Sequence, residues 1–195
     1  MKNMDSYNLA EAKLDLSKVG FCEWFRIGEY ERVERALQDL EELGVERLRF
    51  GFSWADYFTA EGPGWYGWLI PKLTERLEAL PCFTYTPPSL GVRESTASPP
   101  RNPKDYADFI DHALDRFGKR FEWVELWNEP NNLNDWDFRL DPHWEIFSDM
   151  ITKAAYWCQH RGYKTLMGGM AETDASWLNL MGQRGVLDHF DAIGV

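Results

Sequence analysis

The residues of this 195-residue chain with the clearest chemical potential lie together, in Trp123-Val124-Glu125-Leu126-Trp127-Asn128-Glu129-Pro130-Asn131. Phe121 to Trp127 reads as a strand, and Pro130, which cannot donate to a central ladder, stops it. A rigid element therefore presents Asn128 and Glu129 at its end, where a carboxyl can give or take a proton. Glu125 shares the parity of Glu129 but sits about 13 Å deeper, at ~3.3 Å per residue. That depth reads as a structural partner for an arginine rather than a second catalyst. The four histidines (His112, His143, His160 and His189) fall on helices or loops without ligand spacing. Cys22, Cys82 and Cys158 show no metal-ligand spacing and read as reduced thiols. Neither a metal nor a cofactor is expected.

The elements that must position Glu129 alternate strand and helix. Val19 to Phe25 is the first strand candidate. A helix follows with Tyr30, Val33, Leu37 and Leu40 on one face and Gly44 as its left-handed cap. Arg47 to Phe52 is a strand in which Leu48, Phe50 and Phe52 alternate with Arg47, Arg49 and Gly51. Glu61 to Trp65 reads as a loop, and Pro71 as the start of a helix carrying Leu73, Leu77 and Leu80. Cys82 to Thr86 is a third strand. Asn102-Pro103 and Asp141-Pro142 are cap-plus-proline starts of two further helices. The second of these carries Ile146, Phe147, Met150, Ile151, Ala154 and Trp157. Lys164 to Gly168 is a fifth strand, Trp177 to Met181 a short helix, and Phe190 to Val195 the start of a sixth strand. Repeated βα units imply a parallel sheet, either an eightfold barrel or an open doubly wound sheet. Gly20-Phe21-Cys22-Glu23-Trp24-Phe25 lacks the dinucleotide fingerprint, which favours the barrel. The expected fold is α/β, a (β/α)8 barrel type with about six βα units. Residues 1–18 form a leader and residues 19–195 the partial barrel.

Trp127-Asn128-Glu129-Pro130 resembles the strand-four motif of the clan A glycoside hydrolases, of the family 39 (xylosidase and iduronidase) and family 5 types. The resemblance implies that Glu129 is the general acid/base and that Asn128 contacts a sugar 2-hydroxyl. It places Arg49 near the site, though Arg49 is also readable as a solvated or core-paired charge. Thr86-Pro87-Pro88, Met167-Gly168-Gly169-Met170-Ala171 and Asp191-Ala192-Ile193-Gly194-Val195 resemble the endings of strands three, five and six. Trp54, Tyr57, Tyr85, Trp136 and Trp144 follow strands at the same mouth and are candidate sugar platforms or core rings. Glu23 and Trp24 end the first strand there and are candidate sugar ligands. A partly apolar setting and a neighbouring negative charge are expected to raise the pKa of the acid.

The family's nucleophile is a strand-seven glutamate, and no glutamate follows Glu172 here. The expectation is an N-terminal portion of a longer retaining glycosidase, with little or no activity in the isolated chain. A non-catalytic carbohydrate-binding protein, a nucleotide-binding open-sheet enzyme and self-association through an open barrel edge are the alternatives. The net charge of −11 argues against nucleic acid as a partner, and no apolar run is long enough for a membrane span. The N-terminus shows no apolar signal core, so a cytoplasmic location is expected. Ten tryptophans stand out in the composition, as core filler or as sugar-stacking rings.

Overall fold

The structure is a computed structural model that describes residues 15–194. Most of the leader and Val195 lie outside the described residues. The elements in chain order are β1 (Phe21–Glu23), α1 (Tyr30–Leu43), β2 (Arg47–Ser53), α2 (Trp54–Tyr57), α3 (Gly62–Thr74), β3 (Glu78–Thr84), α4 (Lys104–Phe117), β4 (Trp123–Leu126), α5 (Glu145–His160), β5 (Lys164–Met167), α6 (Ala175–Gln183) and β6 (Ala192–Ile193).

All six strands are parallel and lie side by side in chain order. A doubly wound sheet reverses its strand order at a switch point. This sheet never reverses, so it has the topology of a (β/α) barrel over six units. β2 shows how the sequence builds it. Leu48, Phe50 and Phe52 are buried under the helices, while Arg47, Arg49 and Gly51 face the inner side. Phe52 stacks on Tyr66 and Phe83, at centroid distances of 4.3 and 4.8 Å. The helices cover this outer face with their own apolar stripes, such as Val33, Leu37 and Leu40 on α1. Gly44, in the left-handed region, ends α1 as expected.

Four local expectations are corrected. α3 begins at Gly62, so the segment read as a loop is its first turn, and Pro71 lies inside the helix. Pro63 is tolerated because first-turn N–H groups have no helical partner. The buried stripe of Trp65, Tyr66, Leu69, Ile70 and Leu73 then outweighs the low helix propensity of the glycines. Leu80 belongs to β3, which starts at Glu78. α5 starts at Glu145, not Pro142, yet Asp141 still caps it: its carboxylate accepts from the N–H groups of Ile146 (3.1 Å) and Phe147 (2.9 Å). Trp157, assigned to the buried face of α5, is exposed.

Candidate active site

The strand ends at the carboxyl side of the sheet carry the candidate residues, and three of these residues have left-handed backbones. Tyr85 follows β3 with φ 65°, and Trp127 and Glu129 follow β4 with φ 69° and 38°. Such conformations cost of order 1–3 kcal/mol each in a non-glycine residue and persist only where surrounding contacts impose them. Those contacts are visible. The Trp127 N–H donates to the Phe83 carbonyl (2.9 Å) and to the Tyr106 hydroxyl (3.2 Å), and the Glu129 N–H donates to the Gly169 carbonyl (2.9 Å). Gly168 is required beside them, because a Cβ there would lie 1.8 Å from the Trp127 carbonyl oxygen.

The turn at Trp127 breaks the strand alternation. Its ring goes into the helix layer against Tyr106 and Trp136. Asn128 takes the inward direction instead, so Asn128 and Glu125, not Glu129 and Glu125, meet the same partner. That partner is Arg49. Its guanidinium donates to both oxygens of Glu125 (2.5 and 2.9 Å) and to Oδ1 of Asn128 (2.8 Å). Arg49 also reaches Cys22 (3.2 Å) and Cys82 (3.3 Å). Burial is the largest single influence and opposes its charge, but the hydrogen bonds and charge of Glu125 together with the Cys82 and Cys22 sulfurs hold its pKa above the ordinary value. The Glu125 side chain is 2% exposed, and its carboxylate is paired there with the Arg49 guanidinium. Arg49 is therefore a core-paired charge and a neighbour of Asn128 at once.

Asn128 donates from Nδ2 to Asp135 (3.1 Å), and the Tyr85 phenol is a further neighbour of Asp135. Burial lifts the Asp135 carboxyl above the ordinary carboxylate range, the hydrogen bond from Asn128 works against that, and the Glu129 charge adds to it. Burial and Asp135 also raise the Tyr85 phenol. Glu129 is half-buried and accepts from Nδ2 of Asn132 (2.8 Å). The structure thus joins Arg49, Glu125, Asn128, Asp135 and Tyr85 in one chain of contacts, with Glu129 beside it.

Asp135 is the site residue that sequence reasoning missed. It lies seven positions past Asn128 in an irregular segment, and nothing in its local sequence marks it. Other candidates fall elsewhere. Trp54 and Trp136 are completely buried, Trp54 stacked on Phe109 and Trp136 wedged between Trp127 and Phe147, so neither offers a face to a ligand. Tyr57 is likewise core, and Trp144 packs on Phe138, Phe147 and Trp177. Glu23 is tied up by Arg32 at 2.5 Å, toward α1. Trp24, half-exposed, is the ring that stands at the mouth with Tyr85, their centroids 6.2 Å apart.

No protein-family model and no curated protein matches this sequence. Solved structures do match it. The catalytic domain of GH30 xylanase C from Talaromyces cellulolyticus superposes with a TM-score of 0.61 at 10% identity, over 89% of this chain and 51% of that one. SrfJ from Salmonella typhimurium gives 0.59 at 12% identity, over 89% and 49%. The chain therefore spans about half the length of these solved structures. At such identity the likeness establishes the fold and no more: six βα units of the barrel type found in a glycoside hydrolase catalytic domain.

Proposed function

We propose that this chain carries the acid/base side of a retaining glycoside hydrolase site, acting on a β-linked glycoside or polysaccharide, with Glu129 as the proton-donating carboxyl. The observation that carries the reading is the placement of Glu129. It stands at the carboxyl end of the fourth parallel strand, held in a left-handed turn beside an amide fixed by an arginine and a buried carboxyl. Active sites of barrel enzymes are built at that end of the strands.

Glycoside cleavage needs one carboxyl to protonate the leaving oxygen. In a retaining reaction a second carboxylate, about 5–5.5 Å away, attacks the sugar carbon. Asn132 orients the Glu129 carboxyl. Asn128 has its Oδ1 used by Arg49 and one amide proton used by Asp135, which leaves one N–H for a sugar hydroxyl. Asp135 is taken up by Asn128 and Tyr85, so the attacking carboxylate comes from outside the six strands.

The test supplies that missing group. The chain is incubated with β-linked aryl and alkyl glycosides, with and without azide or formate as the external nucleophile. The expected result is no hydrolysis alone, and nucleophile-dependent release of poor leaving groups. Glu129→Gln is expected to slow that release by about 10²–10⁴-fold, the usual contribution of a positioned acid. Equal release by both proteins, or release by the chain alone with Glu129→Gln unimpaired, overturns the reading.

A further inference from the structure

A single polar chain runs from the buried side of the sheet to its carboxyl end, through Glu125, Arg49, Asn128 and Asp135. Each link at Asn128 has one sense. The Arg49 guanidinium can only donate, and it gives an N–H to Oδ1 of Asn128 (2.8 Å). An ionised carboxylate can only accept, and Asp135 takes an N–H from Nδ2 of Asn128 (3.1 Å). An amide with one partner is free to turn over. With a donor at its oxygen and an acceptor at its nitrogen it is not. The Asp135 carboxylate is not needed to hold its own backbone. The N–H groups of Asp135 and Trp136 both donate to the Asn132 carbonyl (3.0 and 2.9 Å), and the Trp136 ring is wedged between Trp127 and Phe147. The carboxylate of the buried Asp135 is left to act on the side chains around it. One of these, Tyr85, is backed by Trp24, whose ring lies so close to β2 that a Cβ at Gly51 would stand 1.8 Å from it.

We propose that Asp135 is a positioning residue, which acts on the site through Asn128 by holding the side-chain amide in one sense, its oxygen on Arg49 and its nitrogen on Asp135. The catalytic consequence rests on the acid/base reading of Glu129, and the hold on Asn128 stands apart from it. The hold is strongest when Asp135 is ionised, because a hydrogen bond to a charged group is roughly twice as strong as one between neutral groups. Proton uptake by Asp135 therefore loosens Asn128. The groups that face Asp135 are Arg49 on β2, the Cys82 thiol on β3, the Tyr85 phenol after β3 and Glu129 after β4. Burial is the largest influence and raises the Asp135 carboxyl above the ordinary carboxylate range. The hydrogen bonds of Asn128 and Tyr85 lower it, the Glu129 charge raises it, and the Arg49 charge lowers it. Asp135 thus takes up its proton at a higher pH than an ordinary aspartate, while the Asn128 amide has no titration of its own there.

NMR titration of the full, isotopically labelled chain from neutral to acid pH tests this, following the Asn128 side-chain N–H pair and the Asp135 carboxyl carbon together. The N–H pair is expected to shift with the midpoint of the Asp135 carboxyl. The same coupled shift is expected in Glu129→Gln, which removes the neighbouring carboxyl. In Asp135→Asn, which keeps the shape and loses the charge, the N–H pair stops responding to pH while the Trp136 indole resonance stays in place. An Asn128 pair that stays still through the Asp135 titration of the unaltered chain overturns the inference, a readout that does not depend on any variant folding. A shift that disappears in Glu129→Gln overturns it as well. In the nucleophile-rescue assay at neutral pH, Asp135→Asn is expected to slow Glu129-dependent release about three- to tenfold, the effect of trading a charge-assisted hydrogen bond for a neutral one. Coupled titration without Glu129-dependent rescue removes only the acid/base assignment, and Glu129-dependent rescue with an uncoupled Asn128 removes only the inference.

Discussion

Asp135→Ala leaves an amide proton of Asn128 without its acceptor and empties the space beside the Tyr85 phenol. Unpaired buried polar groups cost about 1–3 kcal/mol, and that loss is expected in chemical denaturation. Unchanged stability contradicts the role given to Asp135. Arg49→Lys keeps the charge but not the fork that serves Glu125 and Asn128 together, so it is expected to be destabilising by several kcal/mol, up to the roughly 3–5 that breaking a buried pair costs. Gly168→Ala drives a methyl into the Trp127 carbonyl. Backbone gives way poorly, so overpacking of about 1–3 kcal/mol is expected, with the Glu129 turn disturbed in the same variant. At this scale the sequence was readable where chemistry is local. Asn128, Glu129 and the need of Glu125 for an arginine follow from one strand and its ending. Asp135 and Trp24 were harder, because each acquires its place from partners far along the chain: Asp135 from Tyr85, and Trp24 from Gly51.

Among the elements, the period-two pattern of β2 and the stripe of α1 were legible because burial on one face leaves a strict repeat. α3 was not, since Gly-Pro-Gly reads as a turn until the packing of Trp65 and Tyr66 is known. The thin sixth strand is tied down by one carboxylate. Asp191 accepts from the Thr165 N–H (2.8 Å) and hydroxyl (3.2 Å) of β5. That N–H bond, against the small cost of burial, holds the Asp191 carboxyl below its ordinary value of 3.8. A carboxyl with a lowered folded pKa contributes stability above its unfolded value and loses it as pH falls through the folded value. Asp191 is exposed, so solvent screening keeps the contribution under about 1 kcal/mol. Asp191→Asn is thus expected to be slightly less stable at pH 7 and indistinguishable from the parent near pH 2 in thermal melts. A gap that persists or widens in acid contradicts this.

Across the whole molecule, the strand order was the most legible property, because alternating βα units with right-handed crossovers allow few sheets. The tryptophans were the least. Trp54, Trp65, Trp127 and Trp136 are all fully buried, so four of the ten tryptophans fill the layer between sheet and helices. Trp24 is left to face the mouth. The central claim is that this mouth delivers the Glu129 carboxyl to a glycosidic oxygen. The most direct measurement is a crystal structure of the chain with a β-linked oligosaccharide bound. The account predicts a glycosidic oxygen within about 2.6–3.2 Å of the Glu129 carboxyl. A saccharide seated with all its linkages out of reach of Glu129 would contradict it.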